Sequence, residues 1–295
     1  MTIDRVGCVS DAVNIIGEGP VWIESEQALY WVDVGLEPKT LLRYLPATGR
    51  TDIWPLPNRA AAVRGRREGG LLITFQRGLG ITATGGASIS ELPLTGVDFD
   101  NQRFNDSIVD PMGRLWIGSY DRALKAPLGE LYRIDSSLNA KSFDRGFMMS
   151  NGIAITPDAR TLFHTDSRPH GVIYKWDFDC VTGEIANRRV FLDFQDRSGR
   201  PDGCAIDSDG CLWVAEIDAG QLIRIDPDGA VIQTVALPVT RPTSLAFGGP
   251  DLKTIFITSM TFGVAASVRT YQPFAGRLLA FESDTAGHPQ PLAMF

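Results

Sequence analysis

The chain has 295 residues, 44% of them hydrophobic, and a formal net charge of -7 at pH 7. This length and apolar content can bury a large core. A negatively charged chain without a basic stripe is not expected to bind nucleic acid. Because no apolar stretch reaches about 18 residues and the N-terminus lacks the pattern of a secretion signal, we expect a soluble cytoplasmic protein that does not bind a membrane. Nothing in the sequence indicates an oligomeric state.

The 30 glycines and 18 prolines are spread along the chain, which is typical of turns and not of a linker. We therefore predict a single domain over residues 1–295. The cysteines lack CxxC spacing, and we predict that all four are reduced. The three histidines lack the paired spacing of a zinc site. The cysteines are Cys8, Cys180, Cys204 and Cys211.

A pattern of strand, turn and strand recurs along the chain with a period in the forties, and each copy predicts a β-hairpin. In chain order the copies are GEGPVWIESEQALYWVDV, the degenerate RAAAVRGRREGGLLITFQ, RFNDSIVDPMGRLWIGSYD, SNGIAITPDARTLFHTDS, RPDGCAIDSDGCLWVAE and RPTSLAFGGPDLKTIFITS. The DSDG of the fifth copy begins like a calcium loop, but Leu212 stands where such a loop requires glycine. We interpret DSDG as a hairpin turn.

A second hairpin-like phrase follows most copies. These phrases are TLLRYLPATGRTDIWPL, GELYRIDSSLNAKSFDR, VIYKWDFDCVTGEIANRRVFL, QLIRIDPDGAVIQTVAL and GRLLAFESDTAGHPQPLAMF. Two hairpins make four strands, and four strands per period are typical of a propeller blade. We therefore predict an all-β fold, a six-bladed β-propeller with four-stranded blades. Because the last phrase ends at Phe295 and DRVGCVSDAVN has no blade of its own, the two termini are predicted to share the blade that closes the ring.

Alignment of the repeats places polar residues in one structural column. Its members are Glu18, Asn105, Asn151, Asp202 and Thr243, with Ala60 or Ala61 in the degenerate copy. Innermost propeller strands line a central channel, so we expect these side chains to converge. Two carboxylates in a desolvated channel repel each other unless a proton or cation lies between them, and a divalent cation would neutralise both. Each Glu-Gly, Asn-Gly or Asp-Gly pair taken alone is more often a simple turn feature.

Five motifs occur in an order that resembles the senescence marker protein/gluconolactonase family, also called the regucalcin-like lactonases. They are GEGPVW, RFNDSIVDPMGRLWIGS, SNGIAITPD, RPDGCAIDSDGCLWVA and FGGPDLKTIFIT, and they span nearly the whole chain. The resemblance implies a six-bladed propeller that binds one divalent cation in its channel and hydrolyses sugar lactones to aldonic acids. It implies metal ligands at Glu18, Asn151 and Asp202. It also implies substrate-binding residues at Arg103 and Asn105, with a further acidic residue at Asp121 in GSYD.

A lactone is a cyclic ester, so its hydrolysis requires an activated water, stabilisation of an oxyanion and a proton for the leaving alkoxide. The implied cation would polarise the carbonyl as a Lewis acid. Asp202 is the candidate general base, and Asp121 or a metal-bound hydroxide is the alternative. Oxygen ligands suit calcium, magnesium or manganese, and iron(II) and zinc also accept them. Without the resemblance, Arg103 would be interpreted as a surface arginine paired with Asp100 or Asp106.

Two other functions fit parts of the sequence. One is a noncatalytic propeller whose cation is structural and whose open face binds a partner or a small ligand. The other is a calcium-dependent arylesterase of the paraoxonase type, which is disfavoured because such propellers are expected to carry a histidine dyad near the metal. The recurrent tryptophans are predicted to pack between blades and not to stack on a sugar. They are Trp22, Trp31, Trp116 and Trp213.

Overall fold

The structure is a computed structural model that describes residues 6–35, 37–83, 86 and 88–295. It contains six antiparallel sheets of four strands each. Blade 1 contains β2 (Gly17–Ile23), β3 (Ala28–Asp33), β4 (Thr40–Leu45) and β5 (Arg50–Pro55). Blade 2 contains β6 (Ala60–Gly65), β7 (Leu71–Phe75), β8 (Gly78–Thr82) and β9 (Ile89–Leu92). Blade 3 contains β10 (Gln102–Val109), β11 (Leu115–Asp121), β12 (Gly129–Ile134) and β13 (Lys141–Phe147).

The remaining blades continue the same order. Blade 4 contains β14 (Ser150–Ile155), β15 (Thr161–Asp166), β16 (Val172–Asp179) and β17 (Glu184–Asp193). Blade 5 contains β18 (Arg200–Ile206), β19 (Leu212–Ile217), β20 (Gln221–Ile225) and β21 (Val231–Ala236). Blade 6 contains β22 (Pro242–Gly248), β23 (Thr254–Ser259), β24 (Leu279–Glu282) and β1 (Gly7–Cys8). A 3₁₀ turn (Glu24–Glu26) and the four-residue helix α1 (Ala266–Arg269) complete the elements. The predicted six-bladed propeller is confirmed. No helix in the described part of the chain has the length and apolarity needed to cross a membrane.

The N-terminal strand closes the ring by pairing with the last strand of the chain. Gly7 lies opposite Ala280, and Cys8 lies opposite Leu279, so β1 is the outermost strand of the sixth blade. The predicted sharing of one blade by the two termini is therefore confirmed. This pairing covers an edge of β24 that would otherwise expose unpaired backbone groups.

The hairpin predicted within the last phrase is wrong, because only β24 forms there. Since β1 already occupies the outer edge, residues 283–295 instead cross the lower end of the channel, the end at which the innermost strands stop. Ser208 N donates to Ala286 O (2.9 Å), Ala293 N to Gly65 O (2.8 Å), and Met294 N to Gly113 O (3.0 Å). The tail thus connects three blades across the ring.

The innermost strands contact one another around the axis, and each contains a β-bulge close to its upper end. These strands are β2, β6, β10, β14, β18 and β22. The bulges coincide with the polar column predicted from the sequence, at positions such as Glu18, Asn151 and Asp202. An added bulge residue interrupts the ladder and changes the direction of the side chains beside it. Because of the recurrent bulge, the side chains of the column residues do not follow the regular alternation between the two faces of a strand.

Glycine follows the column residue where neighbouring strands approach most closely. A Cβ on Gly203 would lie 2.1 Å from Ser244 Oγ and 2.8 Å from Ser244 Cα, and a Cβ on Gly152 would lie 2.6 Å from Asp202 O. Only a residue without a side chain fits these contacts. The Asn-Gly and Asp-Gly pairs are therefore required by packing between blades and are not simple turns.

The hydrophobic core lies between adjacent blades, and the predicted packing of the tryptophans there is confirmed. Trp116 of blade 3 packs with Ile153 and other residues of blade 4, and Trp213 of blade 5 packs with Phe247 of blade 6. The indole Nε1 of Trp213 donates to Asp207 Oδ2 (2.9 Å), whose Oδ1 accepts backbone N–H groups of the DSDG turn. The turn is thus a hairpin connection, as predicted. All four cysteines are free.

Replacement of Gly203 by alanine is expected to lower the free energy of unfolding by about 1–3 kcal/mol, because the new methyl group overlaps Ser244. Gly7→Ala in β1 is the matched control, since nothing lies within 4 Å of its added Cβ. The control should change stability by less than about 0.5 kcal/mol. Urea denaturation of both variants measures the difference, and equal stabilities would show that the blades do not meet as described.

Candidate active site

The polar column converges at the upper end of the channel, where the innermost strands begin. Asn105 Nδ2 on β10 donates to Asn151 Oδ1 on β14 (2.6 Å) and to Ser150 O (2.8 Å). Asp202 on β18 follows on the next blade and is buried, with 6% of its surface exposed. Thr243 of the sixth blade donates its hydroxyl to Gly17 O and is fully buried. The hydroxyl of Thr243 therefore joins two neighbouring blades.

Two charged residues below the column were not predicted from the sequence. The Arg64 guanidinium on β6 pairs with Asp106 on β10, with 3.0 Å between Nη2 and Oδ1, and both side chains are buried. Arg64 also donates to Ser107 O (Nε, 3.0 Å) and to Gly19 O (Nη1, 3.3 Å). The ion pair thus connects the innermost strands of blades 1, 2 and 3.

Burial and neighbouring carboxylates raise the pKa values of Glu18 and Asp202 in the channel. Burial is the main cause that raises the pKa of Glu18 well above its ordinary value, and the charges of Asp202 and Asp106 raise it further, against the opposing charge of Arg64. Burial also raises the pKa of Asp202 to about 7, although the nearby Arg200 acts in the opposite direction. Deprotonation of this cluster is therefore unfavourable without a further positive charge.

Ser167 is a third residue that the sequence did not identify as part of the site. Asn151 Nδ2 donates to Ser167 Oγ (2.8 Å), and Ser167 Oγ donates to Pro201 O (2.6 Å), next to Asp202. The hydroxyl therefore fixes the orientation of the Asn151 amide and links blades 4 and 5. Its neighbour Asp166 accepts backbone N–H groups of Met148 and Met149 and so holds the turn that precedes β14.

Arg103 begins the pattern RFND and lies at the upper end of β10, two residues before Asn105. Its Nη1 donates to Gln102 O (2.6 Å) and to Phe99 O. Of the two carboxylates considered as its surface partners, Asp106 pairs with Arg64 instead, and no ion pair joins Arg103 to Asp100. The guanidinium is therefore not held by a carboxylate of the described chain.

Asp121 lies at the end of β11, opposite Gln102 on β10. Its carboxylate accepts the backbone N–H groups of Ala123 (3.0 Å), Lys125 (2.8 Å) and Ala126 (3.0 Å). These bonds lower the pKa of Asp121. The carboxylate thus holds the loop that follows β11, beside the strand that carries Arg103.

No group of three or more histidine, cysteine, aspartate or glutamate side chains in the described part of the chain could hold a metal ion. The metal ligands predicted from the sequence are two carboxylates, Glu18 and Asp202, and one amide, Asn151. They contain only two side chains of these four residue types. The carboxylate of Glu18 and that of Asp202 are close enough for each charge to act on the other group.

Comparison with known proteins identifies the family. Residues 16–261 match the SMP-30/Gluconolactonase/LRE-like region. The chain belongs to this family. A 6-deoxy-6-sulfogluconolactonase of Pseudomonas putida is 34% identical over 290 residues, which cover 98% of each chain. Regucalcin of Xenopus laevis is 34% identical over 284 residues, 94% of this chain and 93% of the relative.

A solved structure of this SMP-30/gluconolactonase family has the same fold. A calcium-binding protein, regucalcin, from Agrobacterium tumefaciens superposes with a TM-score of 0.90 at 25% identity, covering 98% of this chain and 97% of that one. The family resemblance inferred from the five sequence motifs is confirmed.

Loss of the Arg64 guanidinium is expected to destabilise the protein strongly. Arg64→Met leaves the buried Asp106 carboxylate uncompensated, which should lower the free energy of unfolding by about 3–5 kcal/mol. The double variant Arg64→Met/Asp106→Asn removes both charges and should recover at least half of that loss. Urea denaturation in the presence of a chelator measures all three proteins. A double variant as unstable as Arg64→Met would contradict the electrostatic role of the pair.

Proposed function

We propose that the protein hydrolyses a sugar lactone to the aldonic acid at the upper end of the channel, with one divalent cation bound there. The observation that carries this proposal is the charge of the channel. The charges of Asp106 and Asp202 act on Glu18, and Arg64 pairs with Asp106 inside the channel. Arg200 and Arg241 also act on Asp202, but both pair with Asp218. The ionised cluster thus keeps two uncompensated negative charges, which a divalent cation would balance. A relative named 6-deoxy-6-sulfogluconolactonase, 34% identical over 98% of both chains, supports the reaction class.

The side-chain oxygens of Glu18, Asn151 and Asp202 would hold the cation. Ser167 Oγ accepts a hydrogen bond from Asn151 Nδ2, so the Oδ1 atom of the same amide faces Asn105. A carbonyl oxygen has two lone pairs and can accept one hydrogen bond while it binds a cation. The oxygen set suits calcium, magnesium or manganese by hardness, and iron(II) and zinc also accept such ligands. A regucalcin described as a calcium-binding protein has the same fold, which supports a divalent cation.

Asp202 is proposed to act as the general base of the reaction. Its carboxylate takes a proton from the water that attacks the lactone carbonyl, and the proton then passes to the alkoxide released as the ring opens. Burial raises the pKa of Asp202 to about 7, so its carboxylate is more basic than that of an exposed aspartate. When bound, a divalent cation offsets the negative charge that develops on the carbonyl oxygen.

Arg103 and Asn105 are proposed to hold the sugar beside this base. Only Nη1 of Arg103 has a partner within the described chain, so its remaining N–H groups are available to bind hydroxyl or ester oxygens. The Asn105 amide lies against Asn151 and so places a polar group next to the proposed cation ligands. A direct substrate contact by Asp121 stays a prediction, and its three backbone bonds support a role in ordering the neighbouring loop.

Removal of the cation is expected to abolish lactone turnover. Chelator-treated protein should release acid from gluconolactone, and from a five-carbon aldonolactone, no faster than spontaneous hydrolysis. Calcium, magnesium, manganese, zinc or iron(II), each added alone, should restore activity to different extents and so identify the effective metal. A protein that binds a cation tightly but never exceeds the spontaneous rate on any lactone would be a noncatalytic metal-binding propeller instead.

The Asp202→Asn substitution distinguishes a base from a simple ligand. It keeps an oxygen for the cation but replaces the basic carboxylate with a neutral amide that does not take a proton from water. The value of kcat should therefore fall by about 10²-fold or more when the metal is saturating. Asp202→Ala should in addition lose metal affinity, as elemental analysis would show. Asp228→Asn, in an exposed turn at the lower end, is the control and should behave as the wild type. Near-normal kcat in metal-loaded Asp202→Asn would place the base elsewhere.

A further inference from the structure

A polar cavity separate from the channel opens at the upper face, between loops of blades 1, 2 and 3. It has a volume of ≈ 510 Å³. Its walls combine apolar surface from Phe75 and Leu79 with four basic side chains. These are Lys39, Arg59, Arg77 and Arg103. Basic residues from three different blades thus surround one concave space, although the chain as a whole has a net charge of -7.

The arginines of this cavity have no carboxylate partner in the described part of the chain. Arg59 donates to Val34 O (2.8 Å) and Arg103 to Gln102 O (2.6 Å), which are neutral acceptors. Arg77 is exposed and makes no hydrogen bond or ion pair to a described residue. None of the three guanidinium groups is therefore in contact with a carboxylate of the described chain, although the charge of Asp100 acts on Arg103.

Several other arginines on the same face are paired, whereas Arg122 and Arg168 are exposed and form no ion pair with a described residue. Those of blades 5 and 6 contact carboxylates at Arg197–Glu216 (2.6 Å), Arg200–Asp218 (2.8 Å) and Arg241–Asp218 (2.9 Å). In the cavity, the one acidic wall residue is Glu91, whose carboxylate accepts Asn58 Nδ2 (3.4 Å). Of the four basic wall residues Lys39 alone forms an ion pair, with Glu37 (2.9 Å), so the lack of a carboxylate partner is shared by the three arginines.

The guanidinium groups are close enough to affect one another. Burial lowers the pKa of Arg103, and the charges of Arg77 and Arg122 lower it further. Like charges around a concave surface raise the local electrostatic energy, and that surface attracts anions. An anion bound among these arginines would supply the missing counter-charge, because the guanidinium fork matches the oxygens of phosphate or sulfonate.

The cavity adjoins the proposed active site through Arg103. Arg103 and Asn105 are two residues apart on β10, a separation of about 7 Å along an extended strand. Tyr120 lies opposite Arg103, and its hydroxyl accepts Gln76 Nε2 (3.1 Å) from the cavity wall. A sugar with its carbonyl near Asn105 could therefore extend its far end into the cavity.

We infer that this cavity binds a tetrahedral anionic group, a phosphate or a sulfonate, on the end of the sugar lactone remote from its carbonyl. Arg59 and Arg77 contact that group, and Arg103 lies between it and the reacting ester. The inference rests on the proposed lactonase function for the identity of the substrate. It makes the enzyme selective for acidic lactones over neutral ones.

The kinetic test compares gluconolactone with its derivatives that carry phosphate or sulfonate at carbon 6. The wild type should show a higher kcat/KM for at least one charged lactone, and the better of the two identifies the anion. Arg77→Gln and Arg59→Gln should each lower the ratio of charged to neutral kcat/KM by at least about tenfold, mainly through KM. Arg160→Gln, in an exposed turn at the lower end, removes the same charge and should leave the ratio unchanged. An unchanged ratio in both cavity variants would overturn the inference.

A binding test separates failure of the cavity from failure of the lactonase proposal. Calorimetric titration with inorganic phosphate and with sulfate needs no turnover. We expect affinity for at least one anion to fall about fivefold or more in Arg77→Gln, and to be unchanged in Arg160→Gln. If no lactone is hydrolysed but this pattern holds, the anion site stands and the lactonase proposal fails. Equal anion binding by wild type and Arg77→Gln would refute the anion site, whatever the lactone kinetics show.

Discussion

The close approach of six inner strands around one axis is the constraint on which the rest of the structure depends. Where these strands meet, a Cβ would lie 2.6 Å from Asp202 O at Gly152 and 2.1 Å from Ser244 Oγ at Gly203. Glycine is required there, and the residue before it occupies the bulge beside the channel. The same contact that packs the blades therefore brings Asn151 and Asp202 to one end of the axis. Packing and site formation have a single geometric cause.

Crowding of acidic groups is the direct consequence of this geometry. Glu18, Asp106 and Asp202 share a desolvated space in which burial raises their pKa values. Arg64 compensates one of the charges from the degenerate second blade, whose column position is alanine. The proposed divalent cation would balance the other two charges. Next to this acidic channel lies a cavity of unpaired arginines, so the upper face carries opposite charges side by side. Such a face would orient a lactone that is itself charged at one end.

Much of the fold and part of the site could be predicted from the repeated sequence pattern. A period in the forties with two hairpins per copy predicts blades, and equivalent positions in the copies must occupy equivalent positions around a ring. The column residues could therefore be identified from the sequence. Ser167 and Arg64 could not, because neither occupies the column position. Asp106 follows Asn105 directly, yet its pairing with Arg64 joins residues 42 positions apart. The path of residues 283–295 could not be predicted either, because it depends on β1 occupying the outer edge of the last blade.

By itself, the sequence determined the all-β class, the number of blades, the closure by both termini and the polar column, because each follows from periodic local signals. Only the tertiary structure decided which charges neutralise one another. Alignment puts Glu18 and Asp202 in one column but does not say that Arg64 lies below them. Nor does it say that Arg59, Arg77 and Arg103 line one cavity and that no carboxylate of the described chain pairs with them. Coulomb interactions depend on distances through space and on burial, and a repeat pattern specifies neither for side chains that come from different blades.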